Sequence, residues 1–192
     1  MRIWTIGHST RAIDEFISLL KENEINSLAD VRAWPGSKRY PQFNKDALAE
    51  SLNAHGIRYE HFPELGGKRK SKPDSRNTAW RNASFRGYAD YMETEQFQKG
   101  VERLLAFAKT DGLGSRLNER DCGEAVIPSA IAIMCAEAVW WRCHRSLIAD
   151  YLKARGVEVL HILGANKVDP HPYTPAARIV NGELSYAAES LL

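Results

Sequence analysis

The chain has 192 residues, 44% hydrophobic and 26% charged, with a formal net charge of +2, which is ordinary for one globular domain but too small a charge to announce nucleic acid by itself. A chain of this length hides roughly 70% of the surface its unfolded form exposes, so it needs no covalent staples. It contains no apolar run of about eighteen residues, and Met1-Arg2-Ile3-Trp4 runs directly into a strand pattern; neither a membrane span nor a signal peptide is read, and the cytoplasm is the expected location.

The first apolar run, Ile3 to Ile6, stops at Gly7-His8-Ser9-Thr10. Ile13, Phe16, Ile17 and Leu20 then follow with helical spacing, with Ser9 or Thr10 as the expected N-cap. Ser27 to Arg32 reads as a second strand, broken by Trp34-Pro35-Gly36. Asn44 to Ala54 reads as a helix capped by Asn44, and Arg58 to Phe62 as a third strand ending at Pro63 and the Gly66-Gly67 pair. Helical patterns recur over Phe85 to Met92 and Phe97 to Lys109, followed by a polar connection over about 111–124. Ala130 to Cys135 is apolar throughout, as expected of a central parallel strand covered on both faces. A helix through Leu147, Ile148, Tyr151 and Leu152 stops at Gly156, and Val157 to Leu163 is the next strand. Near the end, Asn181-Gly182 joins Ala177–Val180 to Glu183–Tyr186 as a β-hairpin with a type I′ turn. The expected fold is a single α/β domain over 1–192: a mostly parallel sheet flanked by helices, with a C-terminal β-hairpin.

Charge is concentrated in a basic stretch over about 66–86, where Lys68, Arg69, Lys70 and Lys72 continue through Arg76 and Arg81 to Arg86. Trp80 and Phe85 are interleaved with them. Basic groups neutralise phosphates and flat rings stack on bases, so the stretch is a candidate nucleic-acid or nucleotide contact; a solvated flexible loop is the alternative. The three cysteines, Cys122, Cys135 and Cys143, are an odd number, which argues against a disulfide framework and leaves reduced thiols, metal ligation or packing.

Ligands of open parallel sheets bind beyond the carboxyl ends of the strands. At that edge the expected strands deliver His8, Ser9 and Thr10, then Asp30 and Arg32, then Glu60 and His61, then Cys135 and Glu137, with Cys143, His144 and Arg145 just beyond. If Cys143 lies in the first turn of a helix, the helix dipole with Arg142 and Arg145 favours its thiolate. His144, or a histidine from another loop, could then carry its proton. Buried packing is the alternative for Cys135 and Cys143. Zinc on Cys135, Cys143 and His144, completed by His8 or His61, has the right ligand types. The spacing matches no compact zinc pattern, however, and adjacent Cys143 and His144 would diverge on a helix. Glu137 and Asp30 are candidate acid/base carboxylates, set against structural pairing of Glu137 with Arg145 and of Asp30 with Arg32. Gly7 to Thr10 could seat an anion on free helix-start N–H groups, with His8 at the rim and Arg32, Lys38 and Arg39 adding cations. His171, in the stiff segment His171-Pro172-Tyr173-Thr174-Pro175, is a further rim candidate.

Taken together, these segments resemble the family of domains of unknown function numbered 488. The resemblance rests on Thr5-Ile6-Gly7-His8-Ser9-Thr10, Asp30-Val31-Arg32 with Pro35 and Ser37, Gln42-Phe43-Asn44 and Gly56-Ile57-Arg58-Tyr59. It continues through Glu64-Leu65-Gly66-Gly67, Phe85-Arg86-Gly87-Tyr88, Met134-Cys135-Ala136-Glu137, Cys143-His144-Arg145 and the His171 to Pro175 segment. It covers nearly the whole chain and implies the same fold and the same site residues, but supplies no reaction. Ala138 to Arg142, with two tryptophans, is more apolar than the family pattern leads one to expect.

The expected function is an enzyme acting on a phosphate-bearing substrate, nucleic acid or nucleotide, by hydrolytic, base-modifying or repair-type chemistry. His8, Cys135, Glu137, Cys143 and His144 would carry the chemistry, with Arg145 stabilising negative charge. Arg32, Lys38, Arg39 and the Lys68-Arg69-Lys70 loop would hold phosphates, with Ser9, Thr10, Asp30, His61 and His171 lining the site. No G-x-G-x-x-G cofactor fingerprint is present, which favours such chemistry over redox chemistry. The alternatives are a non-catalytic nucleic-acid-binding protein and a thiol-dependent transferase or redox protein.

Overall fold

The structure, a computed structural model, describes residues 1–109 and 130–188. Cys122 and the polar connection over 111–124 lie outside the described residues. In chain order the elements are β1 (Arg2–Gly7), α1 (Ile13–Glu22), β2 (Ser27–Asp30), α2 (Lys45–Asn53), β3 (Arg58–His61), α3 (Ala83–Met92) and α4 (Glu95–Lys109). After them come β4 (Ile131–Cys135), α5 (Arg145–Ala154), β5 (Glu158–Gly164), β6 (Lys167–Pro170), β7 (Arg178–Val180) and β8 (Glu183–Ser185).

The main sheet has the order β3-β2-β4-β1-β5-β6, with β7 and β8 forming a separate hairpin. The first five strands of that order are mutually parallel, and β6 runs antiparallel to β5. Successive strand residues point to opposite faces. Ile6, Leu28, Ala132, Met134 and Ile162 therefore pack on Phe16, Ile17, Leu20, Leu48 and Leu52 of α1 and α2. Their neighbours Ile3, Ala29, Ile131, Ile133 and Val159 pack on α3, α4 and α5. Both faces of the sheet are covered, which explains why β4 lacks polar alternation. The hairpin turn has Asn181 at φ 52° and Gly182 at φ 84°, the pair of left-handed residues that a type I′ turn requires.

Two local expectations need correction, and one strand has no counterpart in the sequence reading. The helix α1 begins later than Ser9 or Thr10: its N-cap is Ala12, with no side-chain cap, because His8 N and Ser9 N continue the β1–β4 pairing onto the carbonyls of Cys135 and Ala136. Asn44 does precede α2, but its Oδ1 accepts from Ser37 N instead of capping the helix. The strand β6 carries no apolar alternation, since all four of its residues are exposed; it forms because the chain reverses at Asn166 (φ 54°) and pairs on β5. That reversal carries His171 back beside Val159, toward the amino end of β5 and away from the carboxyl edge.

Between β2 and β4 the chain departs in opposite directions, from β2 outward to β3 and from β4 across β1 to β5. Diverging connections open a crevice at the carboxyl ends of such a pair. Asp30, Arg32, Cys135 and Glu137 stand at this point.

Candidate active site

The β2 edge is organised around one buried ion pair. Asp30, with no solvent exposure, accepts from Arg32 N at 3.0 Å, from Arg32 Nε at 2.9 Å and from Arg32 Nη2 at 2.6 Å. The Tyr59 hydroxyl donates to it as well, at 2.8 Å. Burial alone would lower the Arg32 pKa, but the bonds to Asp30 outweigh this and raise it. Asp30 is thus the partner of Arg32, as the structural alternative required, and has no lone pair facing a substrate proton. His61 Nε2 lies 2.8 Å from the Arg32 carbonyl oxygen, so His61 supports the Arg32 turn from behind.

His8 continues this network. Its Nδ1 lies 3.0 Å from the Ser9 carbonyl oxygen, which can only accept, so Nδ1 carries the hydrogen and Nε2 accepts from Arg32 Nη1 at 3.4 Å. The ring stacks on Phe43 at 4.2 Å. Burial, then the Arg32 guanidinium, push its pKa down to about 4. His8 is therefore a neutral acceptor that orients Arg32, and a poor base near neutral pH. The anion seat expected at Gly7 to Thr10 does not form, because the N–H groups of His8 and Ser9 are already bonded.

On the β4 side, Cys135 ends the strand and Cys143 sits just ahead of α5. Cys143 is extended (φ −130°, ψ 149°) while His144 is helical (φ −55°, ψ −15°). The change of backbone conformation turns the adjacent side chains toward one another, contrary to the divergence expected on a helix. Cys143 Sγ lies 3.5 Å from His144 Nδ1, and Arg145 N, the first N–H of α5, points at the same sulfur from 3.5 Å. His144 Nε2 is 3.1 Å from the Val31 carbonyl oxygen. That oxygen can only accept, so the ring hydrogen belongs on Nε2 and Nδ1 faces the thiol as a proton acceptor. The imidazole also leans on Tyr88, with ring centroids 5.0 Å apart. A Cβ at Gly67 would stand 2.8 Å from His144 Nδ1, so the Gly66-Gly67 pair makes room for the ring.

Burial opposes ionisation of Cys143, but the hydrogen bond from the Cys135 thiol, the His144 ring and the Arg145 cation outweigh it and hold its thiol well below the usual range. Cys135 is pushed well up, first by donating to the Cys143 sulfur and then by burial. The two thiols thus divide the roles of anion and donor. Arg145 supplies compensating charge. It is 1% exposed, its Nη2 donates to the Glu137 carbonyl oxygen at 2.5 Å, and among the described residues its Nε has no hydrogen-bond partner. Arg145 thus takes the carbonyl of Glu137, whereas the expected pairing was with the carboxylate; the Glu137 side chain is exposed at the cleft wall.

A cleft of about 600 Å³ joins these groups, lined among others by Arg32, Trp34, Lys68, Phe85, Cys143 and His144. Trp34 is 71% exposed, and Lys68 Nζ lies 5.2 Å from its ring centroid. In sequence Trp34 reads only as part of a strand break, yet an aromatic two residues beyond a strand-end arginine is the available signal. The loop before α3 is pinned: Asp90, buried under it, accepts from Lys72 N, Ser75 Oγ and Asn77 Nδ2. Of the basic residues in that loop, Lys68 lines the cleft. Arg69 turns inward, stacking over Tyr91 at 3.7 Å and donating to the Gly66 carbonyl, while Lys70 is exposed outside the lining. Lys38 and Arg39 are exposed on the neighbouring turn, with Arg39 over Tyr40 at 5.4 Å. Trp80 packs on Phe85 and Tyr186.

His171 is no rim residue. It is buried in a chain that runs from Thr5 Oγ1 to His161 (2.7 Å), to His171 (2.8 Å) and to Asp150 (3.1 Å). Asp150 also accepts from Thr174 and Tyr186, which ties the C-terminal segment to α5. Burial, then His171 and Arg145, push the His161 pKa down to about 2. Trp140 covers His161, stacked at 4.4 Å, while Trp141 is half-exposed; the apolar link before Cys143 serves partly as a lid on this buried chain.

Cys135, Cys143 and His144 place three metal-ligand atoms within 4.8 Å of one another. His8 and His61 are engaged elsewhere and do not complete the set. Among the described residues no helix is long and apolar enough to cross a membrane. A family model described as "Domain of unknown function DUF488" matches residues 12–121 and 121–152, so the chain belongs to that family. No curated protein and no solved structure matches the chain.

Proposed function

We propose that this member of the DUF488 family is a hydrolytic enzyme for a phosphate-bearing substrate of the nucleotide or nucleic-acid class, with the Cys143 thiolate as nucleophile and His144 as its proton carrier. The observation that carries this reading is the meeting, in one cleft, of a thiol facing an imidazole nitrogen with Arg32, Lys68, Arg142 and the exposed Trp34 ring. Cationic side chains suit phosphate and an open indole face suits a base. A purely binding site gains little from an ionised thiol, which favours an enzyme.

The geometry suits the following chemistry. His144 Nδ1 takes the Cys143 proton, and the thiolate is held by Arg145 N, the Arg145 charge and the Cys135 thiol. Sγ attacks the electrophilic centre and forms a sulfur-linked intermediate. The leaving group departs with the proton from Nδ1. Water then gives a proton to Nδ1 and displaces Sγ, and that proton completes the cycle of Cys143 and His144. The net change is hydrolysis, with no oxidant or reductant required.

One observation favours a second reading. The three ligand atoms of Cys135, Cys143 and His144, with His144 Nε2 anchored on a backbone carbonyl, are of the types that would hold zinc. In that reading Cys143 would serve as a ligand instead of a nucleophile, and the ion would supply Lewis-acid chemistry to the cleft.

The test is turnover of mononucleotides, oligonucleotides and phosphate monoesters, with intact-mass detection of a covalent adduct. The wild type should hydrolyse one of these classes, Cys143→Ala should abolish turnover, and His144→Ala should lower it by about 10²–10⁴. Turnover at the wild-type level in Cys143→Ala would overturn the assignment.

A further inference from the structure

We infer that the ligand of this site is a single-stranded polynucleotide lying across the Cys143 cleft, with neighbouring units held in a pocket on each side. This rests on the substrate class proposed above and deepens it.

The central cleft does not stand alone. On one side it shares Arg32, Trp34, Gly36 and Ala136 with a pocket of about 390 Å³ that extends to Thr10, Ser37 and Tyr40. On the other it shares Asn82 and Phe85 with a pocket of about 520 Å³ that extends over Trp80 and Arg81 to Pro175 and Arg178 of the C-terminal segment. Each pocket alone is of the size that holds one small ligand. Three in a row, joined through common walls, suit successive units of a chain.

The walls carry the chemistry of a polynucleotide. Arg32, Lys68, Arg81, Arg142 and Arg178 line them, and among the described residues Glu137 is their only acidic side chain. An aromatic side chain stands in every segment: Tyr40 in the first, the exposed Trp34 at the first junction, and Phe85 at the second with Trp80 packed against it in the third. Cations that track a backbone, alternating with ring faces that stack bases, are how single strands are held without base-pair readout. A duplex keeps its base faces stacked inside and offers them to none of these rings. The reactive Cys143 lies in the middle pocket, so a bound strand would run past it in both directions.

The test is fluorescence anisotropy with a labelled single strand of about 15 nucleotides, matched to known single-strand site sizes. DNA and RNA versions, the corresponding duplex and a mononucleotide competitor are compared across a salt series. The single strand should bind at least about tenfold more tightly than either the duplex or the mononucleotide, and the DNA and RNA arms identify which polymer is held. Trp34→Ala should weaken it by about 5- to 150-fold. Arg81→Ala should reduce the slope of log affinity against log salt by about 0.7. Both side chains are exposed, and unchanged thermal unfolding verifies that the variants fold. A mononucleotide that binds as tightly as the oligonucleotide, with no effect of Arg81→Ala, would overturn the inference while leaving the nucleotide reading intact. Preference for the duplex would overturn the inference alone. Absence of binding by every one of these ligands would overturn both.

Discussion

Asp30 and Arg32 form the tightest electrostatic unit of the site, and their pairing is the residue-scale feature on which the cleft wall depends. Removing the carboxylate leaves a buried guanidinium facing only the neutral His8 and a phenol. Asp30→Ala should therefore destabilise the fold by about 3–5 kcal/mol, measured as a loss of urea stability; an unchanged midpoint would mean that Arg32 finds solvent without its partner. The types of residue at this edge were legible in sequence, because strand ends in parallel sheets collect ligands. Their roles were not. His8 and His61 read as candidates for chemistry, yet hydrogen bonds to Arg32 and its carbonyl oxygen engage them both. Arg69 read as a phosphate contact and instead covers Tyr91. Nothing local in a basic run distinguishes the cation that faces a cleft from one that folds back over a ring.

At the scale of elements, the site is made by a change of backbone conformation at the start of α5 and by the close approach of the Gly66-Gly67 turn. The apolar β4 and the amphipathic α1, α4 and α5 declare themselves by periodicity. The strand β6 does not, having no buried face. Cys143 and His144 converge because the first is extended and the second helical, a boundary one residue wide that periodicity does not resolve. Gly67 provides the space for the ring. Gly67→Ala should displace His144, leave the sheet intact, and slow alkylation of Cys143 at neutral pH; an unaltered rate would show that the imidazole does not need that space to reach the thiol.

For the whole molecule, the helices, the hairpin and every strand but β6 could be written down from the sequence, but the order β3-β2-β4-β1-β5-β6 could not, since β4 is inserted between two strands that precede it in the chain. That insertion creates the crevice. The folded state also encloses two neutral imidazoles, His8 with a pKa near 4 and His161 near 2, each lowered from 6.5. Above pH 6.5 these groups are neutral in both states and contribute no pH dependence. Below it the unfolded chain takes up protons that the folded one refuses, so stability must fall with acidification. The urea midpoint should be flat above about pH 7 and drop between about pH 6.5 and 4.5, before most carboxylates titrate. A midpoint that stays constant across that window would contradict the burial of both rings as neutral species.

The hydrogen bond from Cys135, the His144 ring and the Arg145 cation favour ionisation of the Cys143 thiol against the resistance of burial. That ionisation is tested most directly by the pH profile of iodoacetamide alkylation on the native protein, with zinc content measured on the same sample and Cys143→Ser alongside. One fast-reacting thiol is expected with a midpoint well below the ordinary 9.0, absent in Cys143→Ser and shifted upward in His144→Ala. A midpoint at or above 9.0, or stoichiometric zinc that protects the thiols and is lost in Cys143→Ser, would contradict the thiolate nucleophile.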